Sequence, residues 1–181
     1  MKVIQTEIKD VLIIEQDVFE DSRGWFFESY NKKKLKKFGM NIDFIQDNHS
    51  FSKIKGTLRG LHFQNNPYAQ SKLVSCIRGA VLDVAVDLRK NSSTYKQWIS
   101  IELTEKNKKQ LFIPKGFAHG FLTLTENAEF QYKVDNYYNK QSERSIRFDD
   151  PEIGIDLGSN NPILLERDAN APLLKDCDIS F

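Results

Sequence analysis

The sequence predicts an all-β protein, a jelly-roll barrel with short peripheral helices, and three observations carry that expectation. Short runs of alternating or β-branched residues recur along the chain, with Gly, Asn and Asp between them and few windows of helical period. Two separated clusters set polar side chains at fixed spacing on otherwise apolar strands: Gly56-Thr-Leu-Arg-Gly-Leu-His62-Phe-Gln64, followed by Lys72 and Gly79, and Pro114-Lys-Gly116-Phe-Ala-His119. The composition, 40% hydrophobic and 28% charged over 181 residues, suits one buried core. There are no heptads, solenoid repeats or low-complexity linkers, so residues 1–181 are read as one domain.

The elements follow in order. Residues 11–14 (Val-Leu-Ile-Ile) and the aromatic-rich 24–30 are read as strands. Lys32-Lys33-Lys34-Leu35-Lys36-Lys37 is the one basic run. Leu35 and Phe38 are spaced for one face and Gly39 is placed as a stop, which predicts a short surface helix with a solvated face. His49, in Asp47-Asn48-His49-Ser50, reads as a loop residue. Strand 72–77 is apolar around Cys76; with Cys177 far off and no CxxC spacing, a packed, reduced thiol is expected. In strand 80–88 alternation sets Asp83 and Asp87, with Arg89 beyond, on one face and Leu82, Val84, Val86 and Leu88 on the other. A polar barrel lumen would give this pattern, and so would a face in water. Strands 98–103, 110–113, 117–125 and 129–134 complete the set. After Asp149, Pro151, Gly154, Gly158, Pro162 and Pro172 break the pattern, so this segment is expected to wrap the barrel.

The net charge of +1 supports neither nucleic-acid nor anionic-membrane binding. No apolar stretch has signal-peptide or membrane-spanning length, and the chain reads as cytoplasmic.

The two polar clusters have the spacing of the two motifs of a cupin, the double-stranded β-helix barrel that usually holds a metal. The first motif runs Gly, five residues, His-x-His, a gap, Glu, six residues, Gly. Here Gly56 and His62 fit, Gln64 replaces the second His, and Lys72 replaces the Glu six residues before Gly79, after a longer gap. The second motif is intact from Pro114 to His119. An amide and a cation in place of an imidazole and a carboxylate make a divalent-ion site unfavourable. A fixed ammonium there suits a developing oxyanion instead. Taken singly, His62 and His119 read equally well as satisfied core histidines, and Tyr132, on the face of Phe130, as a core aromatic. Arg59, His62, Gln64, Lys72 and His119 together are costly to bury without a ligand or a complete hydrogen-bond network. Arg23, Arg59 and Lys72 are surface cations unless they converge, in which case they match the charge of a diphosphate; Tyr137 and Tyr138 are surface aromatics or a platform for a planar base.

Beyond these motifs the chain resembles the dTDP-4-dehydrorhamnose 3,5-epimerase family of nucleotide-sugar epimerases over nearly its whole length. The blocks that carry the resemblance are Asp21-Ser-Arg-Gly24 with Phe27-Glu28, Gln46-Asp-Asn48, Leu58-Arg-Gly-Leu-His62, Lys72-Leu-Val, Asp83-Val-Ala-Val-Asp87-Leu-Arg89, Ile113 to Gly120, Tyr132-Lys133 and Glu166-Arg-Asp168. The resemblance implies a metal-free, cofactor-free cupin homodimer that exchanges strands between subunits. It implies His62 as general base, Asp168 as its orienting partner, Tyr132 as general acid and Lys72 at the C4 oxygen of a 4-keto sugar. Arg23, Arg59 and His119 would contact the diphosphate or sugar. Phe26, Glu28, Gln46, Asn48, Tyr138 and Glu143 would help hold the nucleotide, with one arm from the partner subunit. The implied reaction inverts C3 and C5 of dTDP-4-dehydro-6-deoxy-D-glucose on the way to dTDP-L-rhamnose and cell-surface polysaccharide. Two departures stand out: Arg167 where a lysine is commoner, which bears on a substrate contact, and Leu157-Gly158 where many members have Trp-Pro. Neither is expected to touch the base or the acid. They leave open a relative that inverts only C3 or takes another nucleotide, such as a GDP-linked sugar. A sugar-nucleotide binder without turnover is the reading from a different class, and the presence of both an acid and a base speaks against it.

Overall fold

The computed structural model describes residues 1–158 and 161–181. Among them, strands are β1 (Lys2–Gln5), β2 (Leu12–Glu15), β3 (Phe19–Asp21), β4 (Gly24–Phe26), β5 (Gln46–Ser52), β6 (Leu58–Gln64), β7 (Lys72–Arg78), β8 (Ala80–Asp87), β9 (Trp98–Thr104), β10 (Gln110–Ile113), β11 (Phe117–Thr123), β12 (Ala128–Val134) and β13 (Glu143–Ser145). Helices α1 (Lys32–Lys37) and α2 (Glu166–Ala169) are short. The strands form a six-stranded sheet, β1-β2-β10-β7-β12-β5, facing a five-stranded sheet, β13-β6-β11-β8-β9, with β3-β4 as a separate hairpin. Every named pairing is antiparallel, as in a jelly roll.

Strand alternation divides the apolar residues into three layers. Val74, Cys76, Leu111, Ile113 and Phe130 of one sheet meet Val81, Ala85, Phe117 and Phe121 of the other between the sheets. The outward residues Leu58, Leu61, Val84, Val86 and Ala118 are covered by Ile146, Ile153, Leu157, Leu174 and Ile179, so the irregular C-terminal segment does wrap the barrel. On the other outer face, Leu12, Ile14, Leu73 and Phe112 are covered by Leu35 and Met40. Asn31 caps α1 by accepting from the Lys34 amide, and Gly39, at φ +85°, ends it.

Several expectations change. Phe38 is 46% exposed, because α1 turns only Leu35 onto the sheet. His49 lies on β5 as an outward residue beside Glu129 (3.2 Å). The expected strand 24–30 stops at Phe26, since β4 has only β3 to pair with, while Phe27 packs back on Trp25 (5.4 Å) and Tyr30 joins the outer layer. On β8 the lumen alternative holds: Asp83 and Asp87 are both 0% exposed.

The crossing of β6 and β11 fixes what enters the lumen. His119 pairs with His62 and Phe121 with Arg59, so three steps along β6 match two along β11. This bulge at Gly60-Leu61 lets Arg59 and His62 both face inward, which strict alternation forbids. A Cβ on Gly60 would lie 2.6 Å from the Gly120 Cα, and Gly60 has φ +124°, so only glycine serves there.

Candidate active site

Between the sheets a cavity of about 250 Å³ opens to solvent, lined by His62, Lys72, His119, Tyr132, Arg167 and Asp168, together with Ser50, Arg59, Gln64, Gln70, Phe121, Tyr138 and Glu143. His62 comes from the five-stranded sheet and Tyr132 from the six-stranded sheet, so the two face the cavity from opposite walls.

His62 Nε2 lies 2.7 Å from Asp168 Oδ1, and the carboxylate is 2% exposed. A carboxylate accepts from an N–H, so Nε2 carries the proton in the neutral ring and Nδ1 is left to take another. This tautomer follows from the hydrogen-bond network. Burial alone would raise the Asp168 carboxyl. The hydrogen bond and charge of His62, the Gly60 amide (3.5 Å) and Arg167 outweigh burial and hold it below its ordinary value. Arg167, expected to stay clear of the base, instead lies on it: its Nη2 is 3.3 Å from His62 Nε2 and its Nε 3.3 Å from Asp168 Oδ1. The cause is α2, which presents consecutive residues to the same ring. Leu157 is buried under the outer face of the sheet, away from the cavity.

Lys72 is 8% exposed on β7 and reaches the His62 carbonyl at 3.4 Å. Burial lowers its pKa to about 8, against the attraction of Asp83 and Glu143. The ammonium lies 6.0 Å from the Tyr132 ring centre. Burial raises the Tyr132 hydroxyl above its ordinary value, with Arg59 opposing, so it stays protonated at neutral pH. His119 Nε2 meets Asp83 Oδ2 at 2.9 Å, and burial keeps this imidazole below its ordinary value.

The four cupin ligand positions hold His62, Gln64, Lys72 and His119. Gln64 Nε2 donates to the carbonyls of Tyr68 (2.7 Å) and Tyr137 (3.1 Å), and its Oε1 accepts from the Asn139 amide (2.7 Å). Both histidines have Nε2 against an aspartate, and the last position is a cation. These residues do not fit a divalent ion.

The other expected residues divide. Arg59, Tyr138, Glu143 and Arg167 line the cavity; Tyr138 donates to Glu143 Oε2 (3.0 Å) and Arg167 lies 3.5 Å from Glu143 Oε1. Gln46 and Asn48 pair with Val134 and Tyr132 and so continue the inward face of β5, outside the residues that line the cavity. Arg23, Phe26 and Glu28 are not brought there within one chain. Arg23 is held by Asp21 on the exposed hairpin, Phe26 is 66% exposed, and Glu28 pairs with Lys34. The sequence reading missed Ser50 and Gln70 in the cavity lining, and Asp83 as the buried partner of His119. Only Asp83 left a signal, as an acidic residue on a strand facing a polar lumen.

A family model described as dTDP-4-dehydrorhamnose 3,5-epimerase matches residues 5–176. The chain belongs to this family. It is 56% identical over 176 residues to the dTDP-4-dehydrorhamnose 3,5-epimerase of Salmonella typhimurium, covering 96% of each chain. With that of Shigella flexneri it shares 51% over 179 residues, 98% of each. Among solved structures it superposes with TM-score 0.93 at 45% identity on the dTDP-6-deoxy-D-glucose-3,5-epimerase of Legionella pneumophila in complex with dTDP-4-keto-L-rhamnose, covering 98% of this chain and 94% of that one. No described helix is long and apolar enough to cross a membrane.

Proposed function

We propose that the chain inverts C3 and C5 of dTDP-4-dehydro-6-deoxy-D-glucose to give dTDP-4-dehydro-L-rhamnose, as the names of its relatives indicate. The observation that supports the residue roles is the placement of a carboxylate-paired imidazole and a protonated phenol on opposite walls of one cavity, with a buried ammonium on the phenol's side.

The C4 ketone acidifies the hydrogens at C3 and C5. His62 removes one of them and becomes an imidazolium held by Asp168, while the electron pair moves onto the C4 oxygen as an enolate. Lys72 stabilises that oxygen by roughly 3 kcal/mol, the scale of one oxyanion donor. Tyr132 returns a proton to the opposite face of the same carbon, inverting it; its phenolate is then reprotonated from solvent and the His62 imidazolium gives its proton to solvent, which resets both groups. The second carbon follows the same course, without metal or cofactor. General-base catalysis of this kind contributes a factor of about 100 or more.

Arg59, His119, Tyr138, Glu143 and Arg167 hold the sugar nucleotide. Arg23, Phe26, Glu28, Gln46 and Asn48 complete the nucleotide end in a homodimer whose exposed β3-β4 hairpin reaches the partner's cavity, with residues 1–181 acting as one domain. A nucleotide-linked substrate and free Cys76 and Cys177 fit action in the cytoplasm.

The test is turnover of dTDP-4-dehydro-6-deoxyglucose in deuterated water. Two deuterons, at C3 and C5, are expected. Label at C3 alone would make the chain a C3 epimerase, and no label at either carbon would overturn the reading.

A further inference from the structure

The chemistry above makes no use of Gln64, although it lines the cavity at the position where a metal-holding barrel carries its second histidine. The side chain is 5% exposed, and its carboxamide is engaged entirely with backbone. Nε2 donates to the carbonyls of Tyr68 at 2.7 Å and Tyr137 at 3.1 Å, and Oε1 accepts from the Asn139 amide at 2.7 Å. Two carbonyls call for an NH₂ and a backbone N–H calls for an oxygen, so only one orientation of the amide fits. A single carboxamide therefore grips the chain on both sides of Tyr138. The phenol end of Tyr138 is held as well: its hydroxyl donates to Glu143 Oε2 at 3.0 Å, and Glu143 is the register partner of Gln64 across β6 and β13. Other ties to this segment lie before Tyr137, where Gln70 Nε2 donates to the Asn136 carbonyl (2.8 Å) and the Ser71 amide to Asp135 Oδ1 (2.7 Å). Among the described residues, Gln64 alone bonds both peptide groups that flank Tyr138. Tyr138 is 55% exposed, so little packing fixes it and these bonds do.

We propose that Gln64 is a positioning residue for nucleotide binding: through the backbone of residues 137–139 it sets Tyr138 in the cavity wall before the substrate arrives. The proposal rests on the assignment of Tyr138 to the nucleotide. Both N–H donors of Gln64 are spent on backbone carbonyls, so it has none to offer the substrate and acts only through the segment it holds. An aromatic side chain fixed in advance loses less freedom when the ligand binds. The effect of Gln64 therefore falls on affinity and leaves proton transfer nearly untouched.

The experiment is a double-mutant cycle between Tyr138→Ala and Gln64→Met, the second of which keeps the length and neutrality of the side chain and removes its hydrogen bonds. Titration calorimetry reads the Kd of dTDP, and deuterium wash-in at saturating substrate reads proton transfer. For Gln64→Met the expected result is a Kd raised at least about tenfold with wash-in within about threefold of the unaltered rate. In the Tyr138→Ala background the same change is expected to shift Kd by less than about twofold, because the segment has no ring left to present. An unchanged Kd in folded Gln64→Met overturns the proposal. So does an equal rise in both backgrounds, which marks a general structural role. Failure of the Tyr138 assignment itself shows separately, as an unchanged Kd in Tyr138→Ala alone.

Should Gln64→Met not fold, hydrogen exchange of the unaltered protein decides. The Asn139 amide and the Gln64 side-chain NH₂ are expected to be protected at least about 100-fold without ligand, and to gain little more when dTDP is added. An Asn139 amide that exchanges freely until dTDP is present would show a segment ordered by the ligand, and overturns the proposal.

Discussion

Changing Asp168 to Asn isolates what the carboxylate adds to His62. The two are joined by a 2.7 Å contact in which the carboxylate is 2% exposed, so the imidazolium formed on proton abstraction meets a charge that water hardly screens. Hydrogen bonds to charged groups are worth about 1.5–3 kcal/mol, which translates into roughly a 10- to 150-fold loss in the rate of proton abstraction. Two features push toward the upper end. The Arg167 guanidinium, 3.3 Å from His62 Nε2, remains in the variant as a cation no longer balanced by Asp168, and disfavours the imidazolium. An asparagine amide can also turn its NH₂ toward Nε2 and select the wrong tautomer, an error that lowers kcat about 10⁴-fold in a serine protease triad. The assay is deuterium wash-in at C3 and C5, with a thermal melt to establish that the variant is folded. Wash-in at both carbons within about threefold of the unaltered rate would refute the dyad as the source of basicity.

Changing Tyr132 to Phe should preserve part of the exchange while slowing net inversion by about 100-fold or more, because abstraction survives and return of the proton from the far wall does not; product formed at the normal rate would remove Tyr132 from the acid role. Lys72→Met should lower kcat by roughly 100- to 1000-fold with a smaller change in KM, read by steady-state kinetics, and a change confined to KM would make Lys72 only a binding cation. In the unaltered enzyme turnover should fall as pH rises through about 8, since Lys72 then loses the charge that meets the enolate. Gly60→Ala should destabilise the fold by more than about 3 kcal/mol and lower Tm by roughly 6–12 °C in calorimetry, because its Cβ would fall 2.6 Å from the Gly120 Cα at φ +124°.

Local pattern made much of the architecture legible. The patterns in 72–77, 110–113 and 129–134 anticipated strands within a residue or two of where they lie: the first two are largely apolar, the third alternates Phe130, Tyr132 and Val134 with polar residues, and each has a paired strand on both sides. β5 was missed because Gln46-Asp-Asn-His-Ser carries no apolar signal; it is a strand through its pairing with β12 at the edge of the sheet. The α1 helix was legible from the spacing of Leu35 and Phe38 and the stop at Gly39, but not its Asn31 cap, nor that Phe38 would be left in solvent.

For the site, the division is sharper. The sequence by itself determined the chemical inventory: an imidazole, a phenol and a lysine at the spacing of a barrel that has given up its metal ligands, in a chain whose blocks mark its family. Only the tertiary structure decided how those groups meet. Asp168 lies 106 positions from its imidazole partner in the chain, and the C-terminal wrap brings it there together with Arg167. Arg59 and His62 share the lumen because a bulge, made possible by two glycines in contact, shifts the phase of β6. That Asp83 Oδ1 is buried with no hydrogen-bond partner among the described residues is likewise a property of the folded interior, since a hydrogen bond is made or withheld by packing across sheets and residue type alone carries no record of it.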